Sequence, residues 1–171
     1  MFFKGDQLKS LEYIDKALWL SPKNPEALRE KMIVLYSLER FSDTIIVSDI
    51  LIKVYPRNSV GWAFKGFALA KLGENKKALK CLNKATKLNH NDFQTLYEKT
   101  KLLIKMKKYK DALKSYKRLI ELDHENADLW LKVGNLFFSL KGYWGALKCY
   151  DNAIILKMEE KVSKKFCRVI L

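Results

Sequence analysis

The chain repeats itself every 34 residues, and the register never slips. Asn24, Asn58, Asp92 and Asn126 stand 34 apart, and all four are residue types that cap the free amides of a helix's first turn. Two positions before them, in the same register, stand Pro22, Pro56, His90 and His124. A period of this length belongs to chains built from copies of one supersecondary unit. Each copy is too small to bury its own apolar face, so the copies must stack.

The columns inside the period say what the unit is. Four residues after each cap come Leu28, Trp62, Leu96 and Trp130, and seven further on come Leu35, Leu69, Leu103 and Phe137. That spacing predicts a helix starting after each cap, with Pro25 at a first helical position where its missing N–H costs nothing. A second helix carries Thr44, Ala78, Ala112 and Ala146, then Leu51, Ala85, Leu119 and Ala153, small residues where two helices approach closely. Between the helices lie Leu72-Gly73-Glu74-Asn75 and Leu140-Lys141-Gly142-Tyr143, with glycine expected at the tight turn. Each unit reads as a helical hairpin.

These columns closely resemble the tetratricopeptide repeat (TPR) family, whose signature places a Trp, Leu-Gly and Tyr in the first helix and Ala, aromatic, Ala and Pro in the second. Trp130, Val133, Gly134, Phe137, Ala146, Tyr150 and Ala153 fit it best; Trp62, Gly66, Leu69, Ala78, Leu82 and Ala85 fit nearly as well. The resemblance covers essentially all of residues 1–171 and implies one all-α domain. Its expected parts are a partial repeat over 1–24, full repeats over 25–58, 59–92, 93–126 and 127–160, and a partial or capping helix over 161–171. The resemblance also implies a right-handed superhelical solenoid of antiparallel helix pairs, with first helices lining a concave groove that takes a partner segment. The matching groove residues are Arg29, Ile33, Tyr36, Ala63, Phe67, Ala70, Tyr97, Lys101, Ile104, Leu131, Asn135 and Phe138, with exposed Phe67, Tyr97 and Phe138 as anchors. One subtype clamps the C-terminal carboxylates of chaperones with Lys and Asn. Here Arg29 and Ile33, Phe64, and Gln94 and Glu98 fill those positions, so no chaperone tail is expected.

Lys31, Lys65 and Lys99 fill a column that is usually apolar and that Val133 keeps so. Their stems are expected to pack while the ammonium groups reach outward, either to an acidic partner or simply to water.

The stretch ELDHENADLW sets His124 among Glu121, Asp123 and Glu125, as a metal or acid/base site would. The period explains it otherwise, because His124 and His90 occupy the turn column of Pro22 and Pro56, and Glu125 and Asp128 favour a helix N-terminus. No phosphate loop, Ser/His/Asp set or metal-ligand cluster accompanies it. The chain therefore reads as non-enzymatic, with no catalytic residue, metal or cofactor. Cys81, Cys149 and Cys167 have no paired spacing and read as buried residues of a reducing compartment. MFFKGDQLKS lacks the apolar core of a secretory leader, and no apolar run approaches the roughly 20 residues of a membrane span, which together predict a cytoplasmic location.

Charge supports a second reading. Residues 1–58 hold 9 basic and 8 acidic residues, so +13 of the net +14 belongs to the remaining 113. Lys76, Lys80, Lys84 and Lys87 form a stripe at helical spacing, and Lys110, Lys114, Lys117 and Arg118 another, both expected on the convex face. Such stripes could neutralise the phosphates of nucleic acid or an anionic surface. Lysines outnumber arginines 28 to 5, which argues against sequence-specific reading of bases. Finally, Ile46 and Ile50 occupy columns that carry Lys80 and Lys84 in the next repeat. They are expected to be exposed and to serve self-association, unless the N-terminal segment with Phe2 and Phe3 covers them.

Overall fold

The computed structural model describes residues 4–170, with side chains from Asp6 to Lys161. Phe2 and Phe3, and the Cys167 side chain, lie outside the described residues. Among the described residues the chain is all helix: α1 Lys4–Leu20, α2 Pro25–Ser37, α3 Phe41–Val54, α4 Ser59–Lys71, α5 Asn75–Leu88, α6 Phe93–Lys105, α7 Tyr109–Leu122, α8 Ala127–Ser139 and α9 Tyr143–Ile170. First helices begin at 25, 59, 93 and 127, and second helices at 41, 75, 109 and 143, so both keep the 34-residue step. The fold is an all-α helical repeat, and it falls into two compact units, Met1–Leu102 and Leu103–Leu171.

Local chemistry explains the starts. Asn24 Oδ1 accepts from Ala27 N at 3.0 Å, Asn58 Oδ1 from Val60 N at 2.9 Å, Asp92 Oδ1 from Thr95 N at 3.2 Å and Asn126 Oδ1 from Leu129 N at 3.1 Å. Each such cap stabilises its helix by about 1 kcal/mol. The same column holds Glu160 at the next step, and there the helix does not break. α9 runs 28 residues, twice the 14 of α3, α5 and α7, because neither a cap nor a turn proline interrupts it.

The turn within each hairpin differs from expectation at one position. Glu39, Gly73, Lys107 and Lys141 all take positive φ, at 59°, 82°, 57° and 61°. It is Lys141, not Gly142, that makes the left-handed residue of the last hairpin, because Lys141 shares the column of Gly73. Gly142 instead lies against Phe137, where a Cβ would come 3.2 Å from Cδ1. A side chain in this conformation costs about 1–2 kcal/mol, part of which glycine returns as unfolded-chain entropy. Lys107→Gly and Lys141→Gly are therefore each expected to raise stability by about 0.5–1 kcal/mol, and Gly73→Ala to lower it by about 1 kcal/mol, as read from urea midpoints. No change at any of the three would contradict the turn geometry.

The small column closes the hairpins. Thr44, Ala78, Ala112 and Ala146 are buried, as are Leu51, Ala85, Leu119 and Ala153. Across three of the hairpins the large and small residues trade places. Gly66 faces Leu82, whose Cδ2 would lie 2.7 Å from an added Cβ, and Gly134 faces Tyr150 at 2.6 Å. In the first full repeat the bulk is reversed, with Met32 against Ser48, the hydroxyl 3.0 Å from the sulfur. Pairwise volume, rather than residue type, is what the packing keeps.

Candidate functional site

The expected groove residues lie at i, i+4 and i+7 on α2, α4, α6 and α8, hence on one face of each first helix. In the first compact unit that face is partly core. Arg29 and Lys101 are exposed, Ile33, Tyr36, Ala70 and Tyr97 are half-buried, and Ala63 and Phe67 are buried. Phe67, expected as an exposed anchor, is only 8% exposed. The reason is an aromatic cluster. Phe67 packs 5.6 Å from Phe64 and 6.2 Å from Tyr36, and Tyr36 lies edge-on to Phe41 at 5.5 Å and to Phe64 at 6.1 Å. Phe64 stands where a carboxylate clamp needs asparagine, and it is spent on the core. Burial, with a smaller contribution from the Glu98 carboxylate, pushes the Tyr36 phenol pKa up.

On α6 the accessible part of the face is a charged and aromatic step. Tyr97 stacks on Phe93 at 6.3 Å, and Lys101 lies over the Tyr97 ring at 5.2 Å while pairing with Glu98 at 2.6 Å. In the second compact unit Ile104 and Leu131 are half-buried, whereas Asn135 and Phe138 are exposed. Phe138, 58% exposed, meets Tyr143 edge-on at 5.6 Å. The Tyr150 hydroxyl donates to Asn135 Oδ1 at 2.8 Å. With that oxygen engaged, the exposed Asn135 amide has its N–H donors left to offer.

The lysine column does neither of the things considered for it. Lys31 Nζ sits 2.6 Å from Asp15 on the preceding helix, and Lys65 Nζ sits 2.5 Å from Asp49, with both lysine side chains 26% exposed. Lys99 donates to Thr86 Oγ1 at 3.3 Å. These lysines bridge to the helix before them. The signal was in the sequence, since each Asp precedes its Lys by 16 residues, one repeat apart from the next such pair.

His124 is a turn residue. Its imidazole is exposed and reaches only Glu125, at 3.9 Å, but its backbone carbonyl accepts from the Trp130 indole N–H at 3.0 Å. Two repeats earlier the Pro56 carbonyl accepts from Trp62 at 3.1 Å in the same way. What the column needs is a carbonyl, which proline and histidine both supply. Among the described residues no group of His, Cys, Asp or Glu could hold a metal ion. Cys81 and Cys149 share one buried column, and burial pushes both thiols up, which disfavours the nucleophilic thiolate.

Lys76, Lys80, Lys84 and Lys87 are exposed along α5, a helix with no acidic residue, and Lys110, Lys114 and Lys117 are exposed along α7, where Arg118 pairs with Glu121 at 2.8 Å. Ile46 and Ile50 are exposed on α3. Among the described residues no helix is long and apolar enough to cross a membrane.

Residues 61–92 match the tetratricopeptide repeat, and residues 101–141 match the TPR repeat. No curated protein sequence matches the chain. Among solved structures, a crystal structure of MamA is similar at 20% identity and a TM-score of 0.82, covering 94% of this chain and 93% of that one. MamA from Desulfovibrio magneticus RS-1 is similar at 19% identity and a TM-score of 0.79, over 91% of this chain and 88% of that one. YrrB, described as a TPR protein with an unusual peptide-binding site, is similar at 22% identity and a TM-score of 0.72, over 96% of this chain and 84% of that one. At these identities the likeness is one of fold, whereas the matched repeats speak to family. With both the repeats and the helix-pair fold in place, the chain is a tetratricopeptide-repeat protein.

Proposed function

We propose that the chain is a non-enzymatic protein-interaction module that takes a partner's peptide segment on the exposed faces of its first helices. The observation that carries this reading is the pairing of Asn135 and Phe138 on α8. An exposed amide held through its oxygen by Tyr150 keeps its donors for a partner, one turn before an exposed aromatic ring. Donors of this kind suit the carbonyls of an extended segment, and the ring suits an apolar side chain one turn along. YrrB, similar in fold, is described as having an unusual peptide-binding site, which supports a peptide as the kind of partner here. Two free, buried thiols, Cys81 and Cys149, support a reducing, cytoplasmic setting.

Selection of peptides from a random library against the whole chain tests the proposal. Enriched peptides are expected to lose about tenfold or more in affinity with Phe138→Ala and with Asn135→Asp, which keeps the Tyr150 bond but removes the donors. Peptides that bind both variants as they bind the wild type would move the site elsewhere.

The acid-free, lysine-lined face of α5 favours a second reading, binding of nucleic acid or another polyanion. Binding that falls steeply with salt, is lost in Lys80→Glu with Lys114→Glu and ignores Phe138→Ala would favour it.

A further inference from the structure

The outer face of α9 is unlike that of any other second helix. Tyr143, Trp144, Leu147, Ile154, Ile155 and Met158 are each between 51% and 70% exposed. At 100° per residue they share about a third of the helix circumference, over roughly 22 Å of its length. Asp151 is the charge that interrupts them.

The period says which part of this surface is ordinary. The columns of Leu147 and Ile154 are apolar or small in earlier repeats and are covered there: Leu79 and Thr86 are buried, and Ile52 lies against Gly61 of the next first helix. The columns of Trp144 and Ile155 are different. They hold Ser42, Lys76 and Lys110, and Lys53, Lys87 and Glu121, all exposed to water. A further first helix stacked in the usual way would cover Leu147 and Ile154 and leave Trp144 and Ile155 bare. An occupant that covers all six must lie along the outer face of α9 itself.

We propose that this occupant is α9 of a second copy of the chain, packed antiparallel. The stripe is close to self-complementary. Reversing the helix about the midpoint between Tyr150 and Asp151 carries Tyr143 onto Met158 and Leu147 onto Ile154, as an isologous two-fold contact requires, while Trp144 and Ile155 fall on the Lys157 stem and on Ala146 and pack along the edge of the contact. Charge permits the same face. The chain carries +14, yet from Tyr143 to Lys161 the three lysines Lys148, Lys157 and Lys161 balance Asp151, Glu159 and Glu160. The contact face itself therefore adds no net charge, although the two-fold sets Asp151 close to its own copy. Six side chains more than half exposed offer on the order of 600 Å² per copy, or about 1,200 Å² in all, at the lower edge of stable interfaces.

Sedimentation velocity of the full chain over a concentration series is the test. A monomer–dimer equilibrium is expected, with its dissociation constant raised about 100-fold by Leu147→Glu with Ile154→Glu and unchanged by Ile46→Lys with Ile50→Lys. All four sites are exposed, so circular dichroism spectra should keep their helical content. Independently, Asp151→Cys in a Cys167→Ser background should form a disulfide-linked dimer under mild oxidation, while Tyr143→Cys in the same background should not, because the antiparallel two-fold brings position 151 against its copy and carries position 143 to the far end. A monomeric wild type, a dimer indifferent to the glutamates, or a dimer without the cross-link would each overturn the proposal. Phe138 meets Tyr143 at one end of the stripe, so the two readings are separated by measuring peptide binding in Leu147→Glu with Ile154→Glu, which leaves both Asn135 and Phe138 in place.

Discussion

Phe67→Glu is expected to unfold the first compact unit rather than to silence a binding site. The ring is buried against Phe64 and Tyr36, so the substitution removes an aromatic side chain and leaves a carboxylate without a partner. Loss of the ring alone costs about 3–5 kcal/mol, and burying the charge adds to it. A domain with ordinary stability of about 5–15 kcal/mol would lose much or all of it. Urea unfolding followed by far-ultraviolet circular dichroism measures this directly, with Phe67→Leu as the control expected to cost less than about 1.5 kcal/mol. A glutamate variant that unfolds like the wild type would show that the ring is accessible after all. Any binding defect seen in Phe67→Glu must be read through its stability first.

The second large effect concerns volume across a hairpin. Gly66→Met drives a side chain into Leu82, which a mere Cβ would already approach at 2.7 Å, and is expected to destabilise by about 3 kcal/mol. The first full repeat supplies the remedy, because Met32 there faces Ser48 and both are buried. Adding Leu82→Ser should restore at least about 1 kcal/mol, a coupling that only neighbouring residues produce. The new hydroxyl has an acceptor ready in the Ala78 carbonyl, as Ser48 uses that of Thr44 at 2.7 Å. Simple additivity of the two changes would mean that the hairpins do not share one packing rule.

What the sequence revealed and what it hid divide along a physical line. Caps, helix spacing and the small column are local chemistry repeated at a fixed period, so Asn24 or Ala78 could be read without coordinates. Phe67 could not. It sits on the same helical face as exposed Phe138, and the difference is whether Tyr36 and Phe64 are close enough to cover it, which is a tertiary distance. Lys141 was hidden for a smaller reason, because the adjacent Gly142 is the residue type that usually turns and the column of Gly73 had to be followed to place the bend one residue earlier. The lysine column was legible in part. Lys31 and Lys65 stood out, but their meaning lay 16 residues upstream, in Asp15 and Asp49.

That column has a further consequence. Asp15 meets Lys31 and Asp49 meets Lys65, while the corresponding positions later in the chain hold Asn83 with Lys99 and Lys117 with Val133. The first two pairs thus tie an acid on a trailing helix to a base on the next leading one, while the residue at the trailing position changes from acid to amide to base along the chain. Placing the repeat that begins with Ser59 after the one that ends with Leu122 would set Lys65 against Lys117, two like charges where the native order has a neutral partner. Shuffling the repeats is therefore not free, although their backbones are nearly interchangeable. Charge at this column thus separates the acid-ended repeats, which a lysine-headed repeat can follow, from the base-ended one, which it would follow only against repulsion.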